Sequence, residues 1–109
     1  MTQATSLGGE IDALAARIKA RAGADPESSY TAQLLASGVS GAARKFGEEA
    51  TETIIASLAA PATLADEAAD AIYHLLVLLA AGGVSPEDVA ARLKARGAQS
   101  GLTEKASRK

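Results

Sequence analysis

The chain has 109 residues, a formal net charge of −2 and no cysteine. That length suits one domain with a modest core, and the lack of thiols excludes disulfides, thiolate nucleophiles and Cys-based zinc sites. Eleven Lys and Arg are scattered among thirteen Asp and Glu, leaving no basic stripe to follow a phosphate backbone, so no nucleic-acid partner is expected.

The first residues, "MTQATSLGGEIDAL", lack the basic stretch and apolar run of a secretory signal, and the expected location is cytoplasmic. Alanine, leucine and charged helix formers dominate, while β-branched and aromatic residues never alternate over a useful length, so the expected fold is all-α. A first helix is predicted over about 9–22, with Ile11, Leu14, Ala15 and Ile18 on one face. The linker "GADPESS" breaks it. A short helix in "YTAQLLAS" is closed by Gly38, and a third runs from near Ser40 to Ala59, where Pro61 stops it. Thr63 is the expected N-cap of a fourth helix that ends at the Gly82-Gly83 pair. Its apolar run "AIYHLLVLLAAGGV" is too short to span a bilayer and reads as a buried core helix, with no membrane partner. In "SPEDVAARLKARG", Ser85 caps, Pro86 opens the first turn, Glu87 and Asp88 complement the dipole and Gly97 terminates. The tail has no apolar periodicity and is expected to lie extended. The expected division is an N-terminal helix and linker over 1–28, an all-α domain over 29–99 and a basic tail over 100–109.

The third helix carries an unusual charge pattern. At about 100° per residue, Lys45, Glu48, Glu49 and Glu52 share one face, while Phe46, Ala50 and Ile54 form an apolar stripe on another. On the fourth helix Glu67 and Asp70 share a face that continues through His74, Val77 and Leu78. A segment apolar nearly all round is buried, which turns both carboxylates toward the core. Carboxylates in that position must be paired, protonated or bound to a metal. The short connection at 60–62 makes the two helices antiparallel neighbours, so five acids converge with Lys45 as the one nearby cation. Oxygen ligands without cysteine favour Mg²⁺, Mn²⁺ or Ca²⁺ over zinc. The acids lie on helices, which excludes an EF-hand, and a di-iron bundle needs Glu-x-x-His on two helices, which the single histidine cannot supply. Mg²⁺ usually keeps waters and bridges to substrate phosphates, so the site itself points to phosphate chemistry.

Glu49-x-x-Glu52 followed by Glu67-x-x-Asp70 resembles the signature of the all-α nucleoside triphosphate pyrophosphohydrolases, the MazG-like superfamily. Within it, "SYTAQLL", "ARKFGEEATE", "EAADAIYHLLVLL" and "SGLTEKASR", in that order, are similar to the phosphoribosyl-ATP pyrophosphohydrolase branch over about 29–109. The resemblance implies Mg²⁺, or Mn²⁺ in its place, on Glu48, Glu49, Glu52, Glu67 and Asp70, and hydrolysis of phosphoribosyl-ATP to phosphoribosyl-AMP and pyrophosphate. A carboxylate not engaged with metal, Glu48 or Glu49, would orient the attacking water, and spacing does not choose between them. Lys45 either contacts a phosphate or pairs with the glutamates. Tyr30 either stacks on a base or packs on the bundle, and His74 reads as a hydrogen-bonded core or interface residue. Lys105 and Arg108 are expected either to lie in an unstructured tail or to close over substrate phosphates; deletion of 100–109 with an unchanged KM would remove the second idea. The apolar surface of the fourth helix exceeds what short neighbours cover, and a homodimer that completes the bundle is expected. Rival readings are a house-cleaning pyrophosphohydrolase of non-standard nucleoside triphosphates and a non-enzymatic helical module.

Overall fold

A computed structural model describes residues 5–98, and within them the fold is all-α. Five α-helices run in order: α1 Leu7–Arg21, α2 Tyr30–Ala36, α3 Gly38–Ala59, α4 Leu64–Ala81 and α5 Pro86–Gly97. The tail predicted for 100–109, with Lys105 and Arg108, lies outside the described residues.

Local chemistry explains most of the boundaries. The Ser6 and Ser29 hydroxyls accept from the backbone amides of Gly9 and Ala32, satisfying first-turn donors of α1 and α2. Gly38, at φ 74°, ends α2 in a conformation that costs glycine nothing, and α3 starts there, two residues before the predicted Ser40. α4 ends in a Schellman motif: Val84 N–H donates to Leu79 O and Gly83 N–H to Ala80 O, with Gly83 at φ 75°. At α5 the Ser85 hydroxyl accepts from Asp88 N–H while the Asp88 carboxylate accepts from Ser85 N–H, a complete capping box.

Two local expectations need correction. Pro61–Thr63 is a 3₁₀ turn that feeds directly into α4. Thr63 precedes α4 as predicted, but its hydroxyl donates back to Ala60 O at 2.9 Å and caps no amide of α4. The proline-led turn already supplies the helical start, so the hydroxyl closes the turn behind it instead. The second correction concerns α3. Its fully buried residues are Ala42 and Ala56, Phe46 and Ala50 are half-buried, and Ile54 is 61% exposed beside exposed Ile55 and Leu58. Periodicity identified an apolar stripe, but among the described residues no other helix covers its C-terminal end.

α3 and α4 form the main packing unit. Their pairing is antiparallel, because position numbers run in opposite senses across it: Thr53 meets Glu67, while Glu49 lies near Asp70. The two fully buried residues of α3, Ala42 and Ala56, are both small. Around Val77, 1% exposed, the core gathers Ile18 of α1, Leu34 of α2, Ala42 of α3 and Leu76 of α4. α1 therefore contributes to the same core as α3 and α4. α5 buries none of its residues. No single helix among the described residues is long and apolar enough to cross a membrane.

Candidate metal centre on the α3–α4 pair

The α3–α4 packing brings Glu49, Glu52 and Glu67 together, with one carboxylate oxygen from each lying within 4.8 Å of the others. Helix periodicity explains the grouping. Glu49 and Glu52 are three apart on α3 and so neighbours on its surface, and the antiparallel pairing sets Glu67 of α4 against them. The site lies at the edge of the core. Glu49 and Glu67 are half-buried, whereas Glu52 and Asp70 are exposed, so the expectation that Asp70 points with the core is corrected. Asp70 lies near the end of the second turn of α4, before the fully apolar run begins, and the α3–α4 contact covers Glu67 rather than it.

Burial and neighbouring negative charge together set the electrostatics of the cluster. Burial pushes the Glu67 carboxyl above its ordinary range, and the charges of Glu52, Asp70 and Asp66 push it further, together with a hydrogen bond shared with Glu52. Glu49 is raised by burial, then by its shared hydrogen bond with Glu52 and the charges of Glu52 and Asp70, partly offset by His74. Asp70 thus acts on both clustered glutamates. Glu67 Oε2 is enclosed and has no hydrogen-bond partner, although a carboxylate oxygen out of water normally has one.

Glu48 stands outside the three-oxygen group and is ion-paired to Lys45 Nζ at 3.3 Å. Of the two readings of Lys45, the ion pair is the one present. Tyr30 is half exposed, with its hydroxyl 3.4 Å from His74 Nε2 and its ring stacked near Tyr73 at 6.4 Å between centroids. His74, 7% exposed, donates from Nδ1 to Asp70 O at 2.8 Å, which makes it the hydrogen-bonded buried histidine that the sequence suggested. Sequence reasoning missed the neighbouring pair Thr31 and Tyr73, whose hydroxyls meet at 2.6 Å and tie α2 to α4. It also missed Thr53, whose hydroxyl reaches the backbone of both Glu49 and Glu67. A threonine within a helix gives no periodic signal that would have flagged it.

Carboxylates that meet across two antiparallel helices in an all-α chain agree with the likeness to the all-α nucleoside triphosphate pyrophosphohydrolases seen in the sequence. The comparisons narrow this further. A family model described as phosphoribosyl-ATP pyrophosphohydrolase matches residues 11–97, beginning inside α1 and spanning both acidic helices. A relative from Methylobacterium radiotolerans named phosphoribosyl-ATP pyrophosphatase is 55% identical over 97 residues, covering 88% of this chain and 91% of that protein. A Cereibacter sphaeroides relative of the same name is 54% identical, covering 90% and 96%, and one from Parvibaculum lavamentivorans is 52% identical, covering 91% and 92%. The chain belongs to the phosphoribosyl-ATP pyrophosphohydrolase family.

Proposed function

We propose that this chain hydrolyses phosphoribosyl-ATP to phosphoribosyl-AMP and pyrophosphate, the second step of histidine biosynthesis, in the cytoplasm and with Mg²⁺, or Mn²⁺ in its place. The observation that carries the metal part of this reading is the Glu67 Oε2 atom, enclosed without a donor beside two further carboxylates. An oxygen-only donor set of that kind suits a hard divalent cation. Glu49, Glu52 and Glu67 would hold the ion, with Asp70 and Glu48 as the outer members of the set. Such an ion neutralises triphosphate charge and lowers the pKa of a water molecule.

The remaining work falls to the chain itself. Glu48, apart from the three-oxygen group, is the carboxylate left to orient the attacking water and take its proton. Lys45 would exchange Glu48 for a phosphate oxygen as substrate arrives. The half-exposed Tyr30 ring, its hydroxyl against His74, offers a flat face to a base. The same reading includes a homodimer, supported by Ile54, Ile55 and Leu58 standing exposed on α3 with Leu75 on α4. Sedimentation at micromolar concentration should give twice the chain mass, and a monomer there would remove the dimer.

The test of the function is pyrophosphate release from phosphoribosyl-ATP with and without Mg²⁺, run beside dATP, dCTP and dUTP. Metal-dependent cleavage of phosphoribosyl-ATP alone is the expected result. Cleavage of the deoxynucleotides instead would keep the acidic site and overturn the substrate. No cleavage of any of them would overturn the enzymatic reading.

A further inference from the structure

Thr53 Oγ1 lies 2.9 Å from Glu49 O, on its own helix, and 3.0 Å from Glu67 O, on α4. The first contact is the ordinary bond of a helical threonine to the carbonyl four residues back. The second crosses between helices. A hydroxyl has one proton to donate, so here it is shared between two carbonyls, and those carbonyls belong to residues that supply two of the three clustered carboxylates. The same helix contains a natural comparison: Thr51 Oγ1 makes the same four-residue bond to Gly47 O at 2.9 Å, but it is exposed and reaches nothing on α4.

We infer that Thr53 is a positioning residue of the metal centre: its hydroxyl clamps the backbones of Glu49 and Glu67 at the spacing that lets their carboxylates converge with Glu52. This rests on the metal reading above. The clamp is needed at this level because the carboxylates above it repel one another, and that repulsion acts to separate α3 from α4. The fully buried residues of α3 are the alanines at 42 and 56, which have no polar side-chain atom, whereas Thr53 supplies a side-chain hydrogen bond that crosses to α4. Groups that orient metal ligands from behind typically cost about 10–100-fold in affinity when removed. A clamp acting on two ligands through their backbones belongs in that range.

The experiment is direct Mn²⁺ binding to the substrate-free protein, read from the paramagnetic resonance of free Mn²⁺, for wild type, Thr53→Val, Thr53→Ala, Thr53→Ser, Thr51→Val and Glu52→Gln. Valine and alanine at 53 should each weaken Mn²⁺ binding by about tenfold or more, serine should stay within about twofold because it keeps the hydroxyl, and Thr51→Val should match wild type. In turnover the loss should appear as a higher metal concentration for half-maximal rate, with kcat at saturating metal largely kept. Wild-type affinity in Thr53→Val and Thr53→Ala would overturn the inference, as would equal weakening in Thr53→Ser or Thr51→Val, which would make the effect one of helix propensity. A wild type that binds no Mn²⁺, like Glu52→Gln, would sink the metal reading and this inference with it; a wild type that binds, beside Thr53 variants that bind equally well, sinks this inference alone.

Discussion

Glu52→Gln should lower metal-dependent pyrophosphate release by about a hundredfold or more, while the metal-free protein unfolds at the same temperature or higher. The magnitude follows from position. Groups one shell behind a metal cost about 10–100-fold when lost, so a direct oxygen donor belongs at or beyond the upper end. The stability direction follows from charge. Glu52 is the member of the cluster that raises both of its neighbours, by charge and by hydrogen bonding. A glutamine there keeps the shape, removes the negative charge and can donate its amide to the glutamates on either side. The variant separates site from scaffold: lost activity in a protein that folds at least as well locates the defect in the chemistry. Full turnover in Glu52→Gln would remove the acidic face from the mechanism. Glu48→Gln makes a milder contrast for stability, because it breaks only an exposed ion pair with Lys45, and such pairs contribute roughly 0–1 kcal/mol.

The features that were legible in the sequence are those set by local rules. The start of α5 was readable, because Ser85, Pro86 and Asp88 act within one turn of their own positions, and its last helical residue is Gly97, where the sequence placed the stop. The Gly82-Gly83 stop was readable for the same reason, since a Schellman motif needs only a residue that accepts positive φ. The 3₁₀ turn at Pro61–Thr63 was not, because Thr63 has the composition of a cap and only the path of the preceding chain decides where its hydroxyl points. The exposed end of the α3 stripe was hidden in another way. Spacing shows that Ile54 is apolar-faced, but not whether a second helix reaches it.

The candidate site divides along the same line. Glu49-x-x-Glu52 and Glu67 could be placed together from two helix periods and one short connection, which is all their meeting requires. The separation of Glu48 from Glu49 could not, because adjacent residues on a helix differ by about 100° and either could have faced α4. Asp70 was misjudged because a pattern of apolar neighbours says where a helix is buried, not at which turn that burial begins. Thr53 was invisible for the complementary reason: its part depends on a carbonyl 14 residues away in sequence and 3.0 Å away in space.

Glu67 provides the second large effect, and it concerns pH. The folded-state pKa values of Glu67 and Glu49 lie above the ordinary glutamate range that holds for an unfolded chain. Between the unfolded and folded values the native state therefore holds more protons than the unfolded one, and stability falls as pH rises. The stabilising contribution of the protonated carboxyls is complete below the unfolded pKa and lost as pH passes through the raised folded values. Metal-free protein should accordingly have a higher Tm near pH 4.5 than near pH 7 as far as these two groups decide it, and Mg²⁺ or Mn²⁺ should restore stability at the higher pH, where the ligands are ionised. A metal at a hundred times its Kd adds about 2.7 kcal/mol, which in a chain of this size is a Tm rise on the order of ten degrees. Glu67→Gln should flatten the metal-free pH profile, raise Tm at pH 7 above that of metal-free wild type, and abolish the rise on adding metal. The gain arises because the enclosed Oε2 no longer has to carry charge without a donor, and the loss because the same atom is the one the cation would satisfy. Thermal unfolding of both proteins across pH, with chelator and with Mn²⁺, measures all three. A Glu67→Gln variant that metal still stabilises as strongly as wild type would show that the cation sits elsewhere, whereas one that loses both the pH slope and the metal response ties the two to a single buried oxygen.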